Sequence, residues 1–203
     1  MDDRYLIIGK PSIAETKVKG SRFIARTSVA TSVQDAISQL DKIRKQEHAA
    51  THNCFAYVVG VPGDESVFKY SDDGEPNGTA GRPIYDIISG SGLTNVLVVV
   101  TRYFGGIKLG TGGLARAYGE AAKIALDKSG VTERFVTASF KVTVDFSIYD
   151  SLLKAIHRLG AHQVKADFSE QVILELEIRR SKSELLVAEI TELSKGKARI
   201  EQI

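Results

Sequence analysis

With one cysteine in 203 residues, the chain can neither close an intrachain disulfide nor supply a thiolate zinc cluster. Cys54 therefore suits a reducing compartment and argues against redox chemistry. Long hydrophobic runs are missing too. The longest aliphatic one, Val96 to Val100, is far short of the roughly 20 residues that a membrane-spanning helix requires. The opening Met1-Asp2-Asp3-Arg4 has neither the basic nor the apolar stretch of a secretory leader. The expectation is a cytoplasmic protein with no membrane partner. Charge of one sign is not in excess either: 27 Lys and Arg face 25 Asp and Glu, a formal charge of +2. No global basic field announces a nucleic acid, so any such contact must be local. Internal repeats and low-complexity tracts are absent.

What is present is a globular composition, 43% hydrophobic and 26% charged, which predicts a packed core. Glycine is dense from Gly60 to Gly130 and sparse afterwards, where only Gly160 and Gly196 follow. That shift predicts two domains, 1–136 and 137–203. Up to residue 136 there are 17 basic and 15 acidic residues, and after it 10 of each, so the small basic excess lies in the first part.

In the second part, Val142, Val144 and Phe146 alternate as on a half-buried strand. Ile148, Leu152, Leu153, Ile156 and Leu159 then recur at helical spacing, and Gly160 stands where a left-handed cap ends a helix. Val164, Ala166 and Phe168 mark another strand, and Val172, Leu174, Leu176 and Ile178 a third. Ser181-Lys182-Ser183-Glu184 reads as a capping box before a helix marked by Leu185, Ala188 and Leu193, and Ala198 to Ile203 as a last strand. The order βαββαβ is ferredoxin-like. Its outer face would carry Lys141, Thr143, Asp145, Gln163, Lys165, Asp167, Glu175, Glu177, Arg179 and Arg199, with Ile173 the one apolar residue. Without an aromatic platform, this sheet cannot stack bases as an RNA-recognition sheet does. It reads instead as a solvated face or a docking surface for a protein.

The first part reads as mixed α/β. Tyr5 to Ile8 and the stretch from Glu15 to Ala30 suggest strands. Thr31-Ser32-Val33-Gln34 reads as a capping box opening a helix with the apolar stripe Val33, Ala36, Ile37, Leu40 and Ile43. Strands follow at Asn53 to Val59, Val67 to Tyr70 and Asn95 to Tyr103, with helices at Arg82 to Ser89 and Leu114 to Lys128. The overall class is therefore α+β.

Three motifs carry candidate chemistry. The first runs from Arg102 to Leu114 and joins a buried strand to a helix through Gly105, Gly106, Gly110, Gly112 and Gly113. Glycine lets backbone N–H groups converge, the following helix offers its positive end, and Lys108 or Arg116 could neutralise a phosphate. The loop is no Walker A motif, since Thr111 stands where a lysine is needed. Gly110 to Ala115 fits the loose dinucleotide pattern without the repeated βαβ units that give it meaning. Anion binding and a tight structural connection both remain open. The second motif is Asp72-Asp73-Gly74-Glu75-Pro76. Its carboxylates could hold Mg²⁺ or act as acid and base, but its spacing is not an EF-hand, and salt bridging to Arg82 or Arg102 is the plainer reading. The third is the pair His52 and Cys54 on one strand face. The two lie too close to orient each other as a nucleophilic pair and have no third member, which leaves buried packing for the cysteine. His48 and His52 lie four apart, but the helix ends between them, so no zinc site follows. Nothing calls for a cofactor or a metal.

Taken together, His52-x-Cys54-x-Ala56-Tyr57, Ser71 to Pro83 and Val100 to Leu114 with Arg116-Ala117-Tyr118 resemble the IMPACT family, and the trailing domain resembles its bacterial YigZ-like branch. The resemblance implies that the first domain has the fold of a ribosomal small-subunit protein domain, also seen in translation factors and GHMP kinases. It implies that the trailing domain is similar to the last domain of elongation factor G. In eukaryotic relatives it implies restraint of a kinase that controls translation initiation, and it brings no catalytic residues. The expected function is translation-linked binding: the loop with Arg102, Lys108 and Arg116 would meet RNA, the ribosome or another polyanion, and the trailing domain a protein. The alternative is a phosphate-handling or hydrolytic enzyme with Asp72, Asp73 and Glu75 near the same loop and His52.

Overall fold

The computed structural model describes residues 3–203. These divide into two compact units, Tyr5–Arg134 and Phe135–Ile203, the latter joined by Asp3 and Arg4. The chain is α+β. Among the described residues, no helix is long and apolar enough to cross a membrane.

The first unit is organised by an antiparallel sheet of five strands: β2 (Ser12–Val18), β3 (Ser21–Val29), β4 (His52–Val59), β5 (Val67–Ser71) and β6 (Val96–Tyr103), in the order β2-β3-β6-β4-β5. Three helices pack on it: α1 (Val33–Gln46), α2 (Gly81–Ser91) and α3 (Thr111–Ser129). The unbroken apolar run of β6 follows from its central place, because both of its faces are covered. Val96, Val98 and Val100 join Phe23, Ala25, Cys54 and Ala56 under α2 and α3. Leu97 and Val99 join Phe55, Tyr57, Ala36 and Leu40 under α1. Helix α3 lies against β2 and β3 through Ala117, Ala121, Ala122 and Ala125, all buried, whose small side chains allow close approach. Tyr118, the one large polar-tipped residue on that stripe, meets Phe23 edge to face at 5.1 Å. A separate two-stranded pairing joins β1 (Arg4–Ile8) to β7 (Val131–Phe135), a strand that the sequence pattern did not suggest.

The second unit contains β8 (Thr137–Val144), α4 (Tyr149–Leu159), β9 (His162–Phe168), β10 (Val172–Arg179), α5 (Ser183–Leu193) and β11 (Arg199–Gln202). Its strand order, β11-β8-β10-β9 with every neighbouring pair antiparallel, is the ferredoxin-like arrangement. Val172, Leu174, Leu176 and Ile178 of β10 are buried as their alternation demands. Gly160 ends α4 in the left-handed region, at φ 73°.

Local register differs from the sequence pattern in three places. Ser32 caps α1 in place of Thr31: its Oγ accepts from the Asp35 N–H at 3.1 Å, while the Asp35 carboxylate accepts from the Thr31 N–H. The cap is therefore moved on by one residue, and Asp35, not Gln34, reaches back, to the N–H of the residue before the cap. The box at Ser181 does not form, because the Ser181 N–H donates to Asp3 Oδ2 and a single 3-10 turn, Arg180–Lys182, leads into α5. Leu186 and Ile190, one helical repeat apart, take the core, and Leu185 is left exposed. In β9 the pairing slips: Lys165 lies opposite Glu175 but Gln163 lies opposite Leu176, so Val164 has no partner and is 60% exposed. A bulge of this kind exchanges inward and outward positions beyond it, which takes Gln163 off the outer face.

The Ser32 cap gives a direct check. Ser32→Ala should lower the unfolding free energy by about 1 kcal/mol, while Thr31→Ala should change it by no more than a few tenths, measured by urea denaturation.

Candidate functional site

Two segments far apart in sequence meet within the first unit: the turn from Asp72 to Gly81 and the glycine-rich connection from β6 to α3. Between them lies a cleft of about 360 Å³ lined by Glu75, Pro76, Arg102, Phe104, Lys108, Leu109, Gly110, Thr111 and Leu114.

The carboxylates of the turn serve different ends. Asp72 is consumed by the backbone, with Oδ1 accepting from the Ala80 and Gly81 N–H groups at 2.8 Å each and Oδ2 from Gly78 N–H at 2.9 Å. It thereby neutralises the start of α2, where Ala80 offers no side-chain cap. Asp73 adopts φ 45° and fastens the turn to β4: Oδ2 accepts from Asn53 N–H at 2.7 Å, Oδ1 pairs with Arg44 at 2.9 Å, and its carbonyl meets His52 Nδ1 at 2.7 Å. Neither is free for a metal or for proton transfer. Glu75 points the other way, into the molecule. Its Oε1 accepts from Arg102 at 2.6 Å and from the Tyr118 hydroxyl at 2.8 Å, with His52 Nε2 at 3.9 Å, and the side chains of Glu75 and Arg102 are only 4% and 6% exposed. Arg102 also reaches the Ser21 hydroxyl at 3.2 Å and stacks between the rings of Phe23 and Phe104. Arg82 takes no part: it is exposed and pairs with Asp86, one turn along α2.

Cys54 is fully buried, and its thiol donates to the Asp72 carbonyl at 3.0 Å. Burial pushes its pKa well up, so the thiol stays protonated and is a poor nucleophile. Burial likewise raises Tyr118, beside Cys54 and Glu75, and keeps its hydroxyl a donor.

The glycines divide into scaffold and surface. Gly105 belongs to the scaffold: a Cβ there would lie 1.9 Å from the Gly20 carbonyl carbon, and its N–H donates to Ser21 Oγ at 3.2 Å. Gly113 is also confined, with Leu109 Cβ 3.2 Å from where its own Cβ would be. Gly106, Gly110 and Gly112 face open space. Gly110 sits at φ 70° as the residue before α3, no side chain caps that helix, and its carbonyl accepts from Leu114 N–H. The amides of the first turn thus remain at the cleft, where the helix carries its positive end. Lys108 and Arg116 are exposed, and among the described residues neither has a hydrogen-bond or ion-pair partner.

A family model, the Impact N-terminal domain, matches residues 19–126, which contain both walls of the cleft. The chain is 35% identical to the IMPACT family member YvyE of Bacillus subtilis over 198 residues, 98% of this chain and 90% of the relative. The chain belongs to the IMPACT family. YigZ of Escherichia coli, another member, is 30% identical over 96% of this chain and 95% of its own length. A crystal structure described only as that of a hypothetical protein superimposes with a TM-score of 0.73 at 30% identity, covering 100% of this chain and 98% of that one.

In this IMPACT-family chain, sequence reasoning missed Ser21 and Tyr118 as parts of the site. Tyr118 left a signal, as the single aromatic residue of an alanine-rich inward stripe on α3. Ser21 left none, because only the pairing of β3 with β6 brings it to Arg102. A separate half-buried cluster was also not anticipated: Glu47, after α1, accepts from the Tyr103 hydroxyl at 2.5 Å and pairs with Arg26. The Tyr103 hydrogen bond, aided by Arg26, holds the Glu47 carboxyl below its ordinary 4.5.

Gly105→Ala should abolish folding or cost more than about 4 kcal/mol, whereas Gly112→Ala should be neutral or stabilising by about 0.5–1 kcal/mol, both read by chemical denaturation. Glu47→Gln should destabilise at neutral pH by about 1–3 kcal/mol. Because the folded pKa is lowered, that deficit is complete above the ordinary carboxylate value and should shrink as pH falls through the folded one. An unfolding series from pH 7 to 3 measures it.

Proposed function

We propose that the chain is a cytoplasmic, translation-linked binding protein whose first unit contacts a polyanion, RNA or a ribosomal surface, at the start of α3. The observation that carries this reading is an uncapped helix start flanked by two exposed, unpartnered cations, Lys108 and Arg116. A side chain with no protein partner and a helix end with no cap are both satisfied by phosphate oxygens. Family membership supports the link to translation, since the resemblance implies such a role for eukaryotic relatives. The second unit supplies a different kind of surface. Its open sheet face pairs Glu175 with Lys141 and Lys165 across neighbouring strands and has no aromatic stack. That mixed charge favours a protein partner over bases.

An enzymatic reading, phosphate handling or hydrolysis, is favoured by one observation: Glu75 lies at the cleft beside the loop. It is weakened by the commitment of Asp72 and Asp73 to backbone amides and by the hold of Arg102 and Tyr118 on Glu75 Oε1.

Ribosome co-sedimentation and equilibrium binding of single-stranded RNA over a salt series test the binding reading. Binding should weaken steeply with salt, and Lys108→Ala with Arg116→Ala should reduce the logarithmic salt slope by roughly 1.4, the loss of two phosphate contacts on a single strand. No binding at low salt, or an unchanged slope in the double variant, overturns it.

A further inference from the structure

The residues that line the cleft beside Glu75 include polar atoms that the fold leaves unsatisfied. Glu75 Oε1 takes both of the hydrogen bonds this carboxylate makes, and Oε2 has no partner among the described residues. Glu75 lines the cleft with its side chain only 4% exposed, so a donor for Oε2 has to come from the cleft. Arg102, which lines the same cleft and is 5% exposed, has a buried Nε–H with no partner. Unsatisfied groups on side chains this buried are costly unless something completes them. Because Arg102 already neutralises Glu75, the net positive character at the cleft comes from Lys108 and the first turn of α3.

The chemistry of the walls narrows what can enter. One end favours an anion, at Lys108 and the amides that follow Gly110. The walls are apolar, with the Phe104 ring 47% exposed beside Leu109 and Pro76. Oε2, without a partner among the described residues, calls for a donor. A ligand with a phosphate, a flat apolar body and a donor on its edge meets all three demands, and a volume of about 360 Å³ lies at the lower end of small-ligand sites. We infer that this cleft binds one nucleotide unit, its phosphate at Lys108 and the start of α3, its base against Phe104, and an exocyclic amino group of the base donating to Glu75 Oε2. Adenine, cytosine and guanine carry such an amino group. Uracil presents carbonyl oxygens there, which a carboxylate repels. The inference deepens the polyanion reading and rests on it, by giving the same loop one specific seat for either a free nucleotide or an unstacked nucleotide of an RNA strand.

The test titrates the full chain with AMP, CMP and UMP and with short single-stranded oligonucleotides of A, C or U, following Phe or Tyr fluorescence and calorimetry. Saturable binding of AMP or CMP at least about tenfold tighter than UMP is expected, matching one good hydrogen bond of discrimination. Lys108→Ala and Phe104→Ala, both at exposed positions, should each weaken it about tenfold, Lys108→Ala without moving the thermal midpoint and Phe104→Ala with the loss of its ring contact to Arg102 followed by the same thermal scan. Glu75→Gln, if it folds, should erase the preference over UMP. Preference seen only with oligonucleotides assigns the seat to RNA, and preference with mononucleotides assigns it to free nucleotide; both support the site. Salt-sensitive RNA binding with no base preference and no effect of Phe104→Ala overturns the nucleotide seat while the polyanion reading stands. Absence of all binding at low salt overturns both.

Discussion

A buried ion pair, Glu75 with Arg102, ties together the end of the first unit where the Asp72–Gly81 turn meets the start of α3. Arg102 is the last inward-facing residue of the central strand, Glu75 comes from the turn before α2, and Tyr118 reaches the same carboxylate oxygen from α3. Three segments that share no regular hydrogen-bonding pattern are thereby pinned to one point. Taking two charges out of water is expensive, and replacing such a pair by apolar residues is often no less stable. Its value here is positional: it sets the distance between the Asp72–Gly81 turn and the start of α3, and so defines the cleft.

Around that point, sequence motifs separate into parts that build and parts that face outward. Asp72 and Asp73 build, because amides and Arg44 saturate their oxygens. Gly105 builds, because the backbone of Gly20 leaves no room for a side chain. Cys54 builds, as a small buried donor to the turn. What the fold leaves uncommitted around the cleft is little: one oxygen of Glu75, the ring of Phe104, Lys108, and the helix start after Gly110. A motif dense in acidic and glycine residues is thus mostly a device for holding two chain segments close, with few atoms left over for binding.

Much of this architecture is legible in the sequence. The uninterrupted run of β6, the alternation of β10 and the glycine that ends α4 each reflect one local physical demand, burial on two faces, burial on one, and a left-handed backbone. The failures have a different origin. Ser181 has the residues of a capping box, but Asp3, almost the whole chain away, captures its N–H first. Val164 fits an alternating strand, yet a bulge set by the pairing with β10 turns it outward. Strand β7 has too little apolar pattern to be seen without its partner β1. At the site, the turn and the loop were readable as motifs, whereas the role of each carboxylate was not, since Asp72, Asp73 and Glu75 differ only in which distant atoms the fold brings to them.

The central claim, that Glu75 and Arg102 act as one coupled unit, is tested most directly by a double-mutant cycle in urea unfolding at pH 7. Arg102→Met alone strands a buried carboxylate and should cost about 3–5 kcal/mol. Arg102→Met combined with Glu75→Gln should cost less than the sum of the two single changes by about 2 kcal/mol or more. Additivity within about 0.5 kcal/mol would contradict the account, because the two side chains would then stabilise the fold independently and the cleft would owe its shape to something else.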